Sequence, residues 1–247
     1  QLAIGVLVGG FVQLFMVVWQ LKSIDRLPRL TVRFRRPGVK TILLNMLPGL
    51  AGLGVIQLIG IVNVIFASRL EQGSHSYIYF ADRILELPMS LIAISLGSAL
   101  LPTLSAQWAT GRVAEMSETC LAQVKLLLFL SVPCALGMFF LAEPIVVLLF
   151  KWGEFGKADV EATMWVIKIY SFLLLASSFV RVFVPSFYAI KNTWYPAVVS
   201  MICLVFHVFM APVLMKDFAL NGIVLSLVGT GYINGLLLLL GYFLFIG

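Results

Sequence analysis

Long uninterrupted apolar runs are the feature that most restricts how this chain can fold. A helix needs about 20 apolar residues to cross a hydrocarbon core of about 30 Å, and barrel strands would show alternating short segments instead. The chain is 61% hydrophobic and 11% charged, whereas soluble domains are about 25% charged. We therefore predict an all-α polytopic membrane protein with about seven transmembrane helices. The predicted spans are roughly 1–21, 41–69, 77–105, 120–142, 161–190, 194–215 and 218–246.

The connection at residues 22–40 indicates the orientation of these spans. It contains one acid, Asp25, and seven of the chain's 17 Lys and Arg residues. Basic residues concentrate in cytoplasmic loops, so we predict a cytoplasmic linker that touches anionic membrane lipids. No folded soluble domain accompanies these basic residues, so we expect no nucleic-acid partner. The basic residues are Lys22, Arg26, Arg29, Arg33, Arg35, Arg36 and Lys40.

Residues 143–160 differ from the predicted spans. A short apolar run there is followed by a patch rich in glycine and charge, EPIVVLLFKWGEFGKADV. The apolar part is shorter than the 20 or so residues that a crossing requires. We predict a re-entrant or interfacial segment at this point.

A cluster of charges lies inside the span at 77–105. Asp82, Arg83 and Glu86 fall within about one helical turn, and Pro88 follows them. A charge at membrane depth costs about 2.5 to 3.5 kcal/mol on insertion scales. One interpretation is that Arg83 pairs with Asp82 or Glu86 and joins helices. The other, which we favour, is that the guanidinium faces a water-filled cavity and binds an anion.

Further polar residues lie within other spans. Arg181 is a second cation that we expect to line the cavity, and Gln57 supports the site from span two. For Asn63 and His207 we expect interhelical hydrogen bonds, with an ion or proton site as the alternative. Helix kinks are predicted at Pro48, Pro88 and Pro185, because proline lacks an N–H and clashes with the preceding turn. Gly5 and Gly9 form a GxxxG pattern, which is typical of close helix packing.

The sequence offers no support for catalysis. It contains no HExxH, GxSxG, Walker or CxxC pattern, and it has two histidines and three cysteines without metal-ligand spacing. We therefore expect neither an enzyme nor a metal site, and we expect no cofactor.

Four motifs, in order along the chain, carry a family resemblance. They are GVLVGGFVQL at 5–14, YFADRILELPMSLIAISLGSALLPTLS at 79–105, LLFKWGEF at 148–155 and PSFYAIKNTWYP at 185–196. Together they closely resemble the MurJ (MviN) family of lipid II flippases in the MOP exporter superfamily.

The resemblance implies helices six to twelve of a fourteen-helix transporter with two lobes. Residues 1–21 would be the last helix on the amino-lobe side, 22–40 the connection between lobes and 41–247 helices of the carboxy lobe. Because the chain opens on Gln1 within an apolar run, we expect a fragment of a longer protein with no signal peptide.

The resemblance also implies roles for individual residues. Arg83 would contact the diphosphate of lipid II, with Arg181 assisting it. Asp82 would orient Arg83 and, with Glu86, belongs to the supporting residues. Asn63 and His207 stand where some family members bind sodium with acid and amide side chains. Coupling to sodium, to protons or to the membrane potential stays open.

The expected function is transfer of an undecaprenyl-diphosphate-linked peptidoglycan precursor across the bacterial inner membrane by alternating access. The expected partners are lipid II, membrane lipids and proteins of cell-wall synthesis. The alternatives are a flippase for another undecaprenyl-linked oligosaccharide and a non-transporting membrane scaffold for cell-wall enzymes. A multidrug cation exporter is disfavoured, because it would prefer acidic cavity residues.

Overall fold

Every regular element in the described residues is helical, which confirms the predicted fold class. The computed structural model describes residues 2–23 and 37–246. A π-helical segment, Met89–Ile94, joins two of the helices. The α-helices in chain order are α1 (Leu2–Ser23), α2 (Pro37–Ala67), α3 (Ser74–Pro88), α4 (Ser95–Ala109), α5 (Val113–Phe140), α6 (Ala142–Phe150), α7 (Lys157–Ala189) and α8 (Trp194–Phe245).

The long helix α8 contains two of the predicted spans. Its 52 residues would measure about 78 Å as one straight helix, more than twice the thickness of a hydrocarbon core. Ala219 interrupts the helical backbone with φ 46° and ψ −121°. After this break Gly222 lies so close to the backbone of Leu214 that a Cβ would collide with it. The two halves of α8 therefore form an antiparallel helical hairpin.

The chain divides into two compact units, residues 1–43 and 44–247. In the first unit, α1 is apolar around its whole circumference, and its side chains from residues 5 to 20 are exposed. Such a helix is long and apolar enough to cross a membrane. A helix that is apolar on all sides is typical of a membrane span.

In the second unit, α7 is the central helix. It packs against α3, α4, α5, α6 and α8. Its first half contributes Ile167 and Tyr170 to one buried apolar cluster, and its second half contributes Val182 and Phe187 to another. Arg181 directly precedes the second group, so its position is fixed by the most heavily packed helix of the unit.

The two predicted connecting regions differ from ordinary spans. At the linker predicted for 22–40, α1 ends at Ser23 and α2 begins at Pro37, while residues 24–36 lie outside the described residues. Near 143–160, α6 has nine residues and is about 13 Å long, too short to cross a membrane. An irregular stretch at 151–156 then leads into α7. The predicted roles of both regions stay predictions.

Candidate anion-binding cavity

Helix α3 presents Arg83 and Glu86 away from its packed face. Ile78, Ala81 and Leu85 are buried against the core, and their spacing of three and four residues places them on one side of the helix. Arg83 and Glu86 are exposed on another side. The spacing of apolar and charged positions in α3 thus directs Arg83 and Glu86 away from the core.

Arg83 forms an ion pair, but its side chain remains largely exposed. Its Nη1 lies 2.8 Å from Oε2 of Glu86, and the two side chains are 53% and 58% exposed. The guanidinium also lies over the ring of Tyr79, 5.1 Å from the ring centroid. The pair that one of our two interpretations predicted is therefore present, but it lies within α3 and does not join two helices.

Asp82 makes a different contact from the one expected of it. The hydroxyl of the buried Tyr170 on α7 donates a hydrogen bond to the Asp82 carboxylate. Among the described residues Asp82 forms no ion pair with Arg83. The expected orientation of Arg83 by Asp82 does not take the form of a direct salt bridge. Asp82 instead links α3 to α7.

Arg83 and Arg181 border the same cavity, which has a volume of about 920 Å³. Arg181 reaches it from α7 and is partly buried. Within the part of the chain that the structure describes, Arg181 has no acidic partner. The cavity therefore holds one arginine paired with an acid and one without. The other lining residues are Asp82, Ile84, Leu85, Glu86, Leu87, Met89, Ser90, Leu149 and Phe150.

The three prolines at which we predicted kinks occupy different positions in their helices. α3 ends at Pro88, and the π-helical segment that follows supplies Met89 and Ser90 to the cavity. Wider π turns are frequent at functional sites. α7 runs as a single helix through Pro185, and Pro48 lies within the bounds of α2.

Aromatic contacts hold the end of α6 and the segment after it against α3. The ring of Phe80 lies 4.7 Å from that of Phe150 and 5.8 Å from that of Phe155, measured between centroids. Tyr77 donates a hydrogen bond to Asp159 near the start of α7. These contacts bring Leu149 and Phe150 to the cavity wall. Their part in the site was not predicted, although both lie in the LLFKWGEF motif.

A second, smaller cavity lies beside the first. It measures about 320 Å³, and Asp82 belongs to the lining of both cavities. Gln57 lines this second cavity and not the one that contains Arg83. The remaining lining residues are Gly60, Ile61, Asn63, Val64, His75, Ile78 and Tyr79.

His207 forms hydrogen bonds between helices. It is fully buried, with Nε2 2.8 Å from Oδ1 of Asn63 and Nδ1 3.0 Å from Oγ of Ser226. Both ring nitrogens are thus engaged, one toward α2 and the other toward the second half of α8. Among the described residues, no group of three or more His, Cys, Asp or Glu side chains could hold a metal ion. The ion or proton site that we gave as the alternative at Asn63 and His207 stays a hypothesis.

The apolar helices and the cavity together define a multi-pass helical membrane protein with two arginines beside one cavity. The sequence model described as lipid II flippase MurJ matches residues 1–243. The chain therefore belongs to the MurJ family of lipid II flippases. This result confirms the resemblance that the four motifs indicated.

Individual relatives agree with this assignment. A Bdellovibrio bacteriovorus protein described as a probable lipid II flippase MurJ is 45% identical over 238 residues, covering 96% of this chain and 46% of that protein. A Burkholderia cenocepacia protein described as lipid II flippase MurJ is 32% identical over 244 residues, covering 97% and 47%. The chain spans about half the length of the curated relatives it matches.

A solved structure shares the fold. The lipid II flippase MurJ in an inward closed conformation matches with a TM-score of 0.75 at 23% identity. The match covers 96% of this chain and 49% of that one. At this identity the comparison establishes the arrangement of helices and nothing about the substrate.

Proposed function

We propose that this chain forms part of a lipid II flippase of the bacterial cytoplasmic membrane. Such a protein moves the undecaprenyl-diphosphate-linked peptidoglycan precursor from the inner to the outer leaflet. The names of the relatives support this substrate, and membership of the MurJ family supports transport as the activity. A polar headgroup cannot cross hydrocarbon unaided, because its groups would lose their hydrogen bonds to water.

The observation that carries the proposal is that Arg83 and Arg181 border one cavity. A cation at membrane depth is tolerated where it faces water or finds an anionic partner. Arg181 has no acidic partner among the described residues, so an incoming diphosphate would supply one. Guanidinium groups match phosphate oxygens well, since their donors form a planar fork.

The size of the cavity suits a hydrated diphosphate. Its volume of about 920 Å³ is far above the roughly 10–15 Å³ that one water molecule needs in the same measure. It also lies near the upper end of the range for small-molecule pockets, about 300–1,000 Å³. The diphosphate and its neighbouring atoms would therefore enter without complete loss of their water.

We propose that transport proceeds by alternating access, with the 22–40 linker on the cytoplasmic side. The membrane potential supplies about 2.3 kcal/mol per charge per 100 mV, and sodium and protons are the other candidate energy sources. Lipid II is the proposed substrate, and proteins of cell-wall synthesis are proposed partners. This function requires no catalytic residue and no cofactor.

The decisive test is Arg83→Ala in the complete natural protein. We expect loss of complementation in cells depleted of their own flippase, together with an affinity for lipid II that is lower by about 10- to 150-fold. That range corresponds to the loss of one charged hydrogen-bonding group, about 1.5–3 kcal/mol. Binding would be measured on purified protein in lipid nanodiscs.

Arg112→Ala is the matched control, because Arg112 also pairs with a glutamate three residues later but does not line the cavity. We expect this variant to complement normally. Normal growth and flipping with Arg83→Ala, at unchanged protein levels, would contradict the proposed function and favour a scaffold role.

A further inference from the structure

Diphosphate binding alone does not explain why an acid, Glu86, lines the cavity. Glu86 lines the same cavity as Arg83 and Arg181, and its negative charge would repel a diphosphate. Its carboxylate also contacts Nη1 of Arg83 at 2.8 Å, which is the group proposed to bind that diphosphate. Binding of a diphosphate to this edge of Arg83 therefore requires the Glu86 carboxylate to leave the arginine.

The geometry allows the carboxylate to leave without any movement of helices. Glu86 and Arg83 are three residues apart on α3, and more than half of each side chain is exposed. Exposed ion pairs of this kind are weak, because water competes for both partners. Arg83 is the only ion-pair partner of Glu86 among the described residues.

Arg83 would keep its position after such a change. Its guanidinium lies over the ring of Tyr79, 5.1 Å from the centroid, and this contact does not involve Glu86. A cation above an aromatic face is attracted by the negative charge density of the ring. The guanidinium edge that contacts Glu86 would thus become free while the arginine stays at the cavity wall.

Resting on the function proposed above, we propose that Glu86 occupies the phosphate-binding edge of Arg83 when no substrate is bound. Carboxylate and phosphate oxygens accept the same guanidinium hydrogen bonds. The entering diphosphate exchanges with the Glu86 carboxylate, and the carboxylate returns when the substrate leaves. Glu86 thereby lowers substrate affinity and promotes release.

The test is Glu86→Gln in the complete natural protein, purified in lipid nanodiscs. Glutamine keeps the size of the side chain and removes its charge. Binding of fluorescent lipid II and its competition by inorganic diphosphate would be measured side by side. We expect both ligands to bind about two- to fivefold more tightly, the loss of one exposed ion pair as a competitor. We also expect slower flipping, because release becomes slower.

Two further variants complete the design. Glu115→Gln removes the acid of the Arg112–Glu115 pair, which has the same spacing and similar exposure, and it should leave both affinities unchanged. Glu86→Asp keeps the charge on a shorter side chain. It should tighten binding by less than Glu86→Gln does, and it carries the test if the glutamine variant fails to accumulate.

The outcomes separate this inference from the proposed function. If Arg83→Ala lowers affinity but the Glu86 variants bind as the wild type does or more weakly, the exchange is contradicted and the proposed function stands. A gain for lipid II without a gain for diphosphate would also contradict it. If Arg83→Ala binds lipid II as tightly as the wild type, the proposed function itself fails.

Discussion

Two ion pairs in the described part of the chain are nearly identical in themselves. Arg83 and Glu86 lie 2.8 Å apart with side chains 53% and 58% exposed. Arg112 and Glu115 lie 3.0 Å apart with side chains 51% and 52% exposed. Both pairs join residues three apart: Arg83 and Glu86 both lie within α3, whereas Arg112 directly precedes α5, which contains Glu115.

Their surroundings differ completely. The first pair lies within α3 at the wall of a cavity that also contains Arg181. In the second, Arg112 directly precedes α5, and its Nε donates a hydrogen bond to Oγ1 of Thr110 at 2.9 Å. The second pair thus stabilises the turn between α4 and α5. Distance and exposure do not distinguish the two pairs, whereas the open space beside the first pair does.

Reversing each pair should separate the two roles most strongly. Arg83→Glu with Glu86→Arg keeps the net charge and places the acid before the base, which is the favourable order on a helix. It also moves the guanidinium along the helix by about 4.5 Å. We expect a protein that inserts normally and fails to flip lipid II, measured by complementation and in proteoliposomes.

The corresponding reversal, Arg112→Glu with Glu115→Arg, provides the control. We expect it to support growth, because no cavity residue changes. If both reversals supported growth equally, the position of the guanidinium would be irrelevant. The two pairs would then not differ in function.

Arg181 adds a third case, an arginine with no acidic partner among the described residues. Arg181→Ala should lower lipid II affinity about tenfold, near the lower end of the effect of losing a charged hydrogen-bonding group. Stability should be unchanged or higher, because removing an unpaired, partly buried charge relieves its desolvation. Binding assays and thermal unfolding in detergent would measure both. A loss of stability without a loss of affinity would instead indicate a structural role.

The helices were predictable because the length of an apolar run determines whether it can cross a membrane. The charged residues Lys216 and Asp217 separated the last two spans in the sequence, and the break in α8 occurs close by at Ala219. Arg83 and Arg181 were predicted as cavity residues from their cost in lipid, and the structure places both beside one cavity. Local composition was sufficient for these features.

Contacts between distant residues were not predictable from composition. Asp82 was expected to act on its neighbour Arg83, yet its hydrogen bond comes from Tyr170, 88 positions later. The sequence specifies that an acid needs a partner but does not specify which helix provides it. The acid's nearest cation in the sequence therefore did not identify its hydrogen-bond donor, and the expected action of Asp82 on Arg83 stays a prediction.

Glycine patterns show the same limit. The GxxxG at Gly5 and Gly9 has open space around it in the described residues. A second GxxxG, at Gly231 and Gly235, packs closely on α7, where a Cβ at Gly231 would lie 2.8 Å from Cδ1 of Leu173. The pattern indicates that a close approach is allowed, and the fold determines where it occurs.

A smaller effect is expected from removing the hydrogen bond between Tyr170 and Asp82, which lies next to Arg83. Tyr170→Phe removes the donor and leaves a partly buried carboxylate without it. We expect a loss of about 1 kcal/mol in stability, at the lower end for an unsatisfied buried group because Asp82 is only partly buried. Thermal unfolding of the purified protein would measure it. An unchanged melting temperature would mean that Asp82 does not depend on Tyr170.

The smallest effect is expected at the turn. Glu115→Gln removes one exposed ion pair and leaves the hydrogen bond between Arg112 and Thr110 in place. Exposed pairs contribute about 0.2–1 kcal/mol, so the melting temperature should fall slightly and flipping should be unchanged. Glu86→Gln removes a pair of equal exposure and should lower the melting temperature by a similar amount while altering substrate affinity. If both substitutions changed stability alone, the cavity pair would be structural, like the pair at the turn.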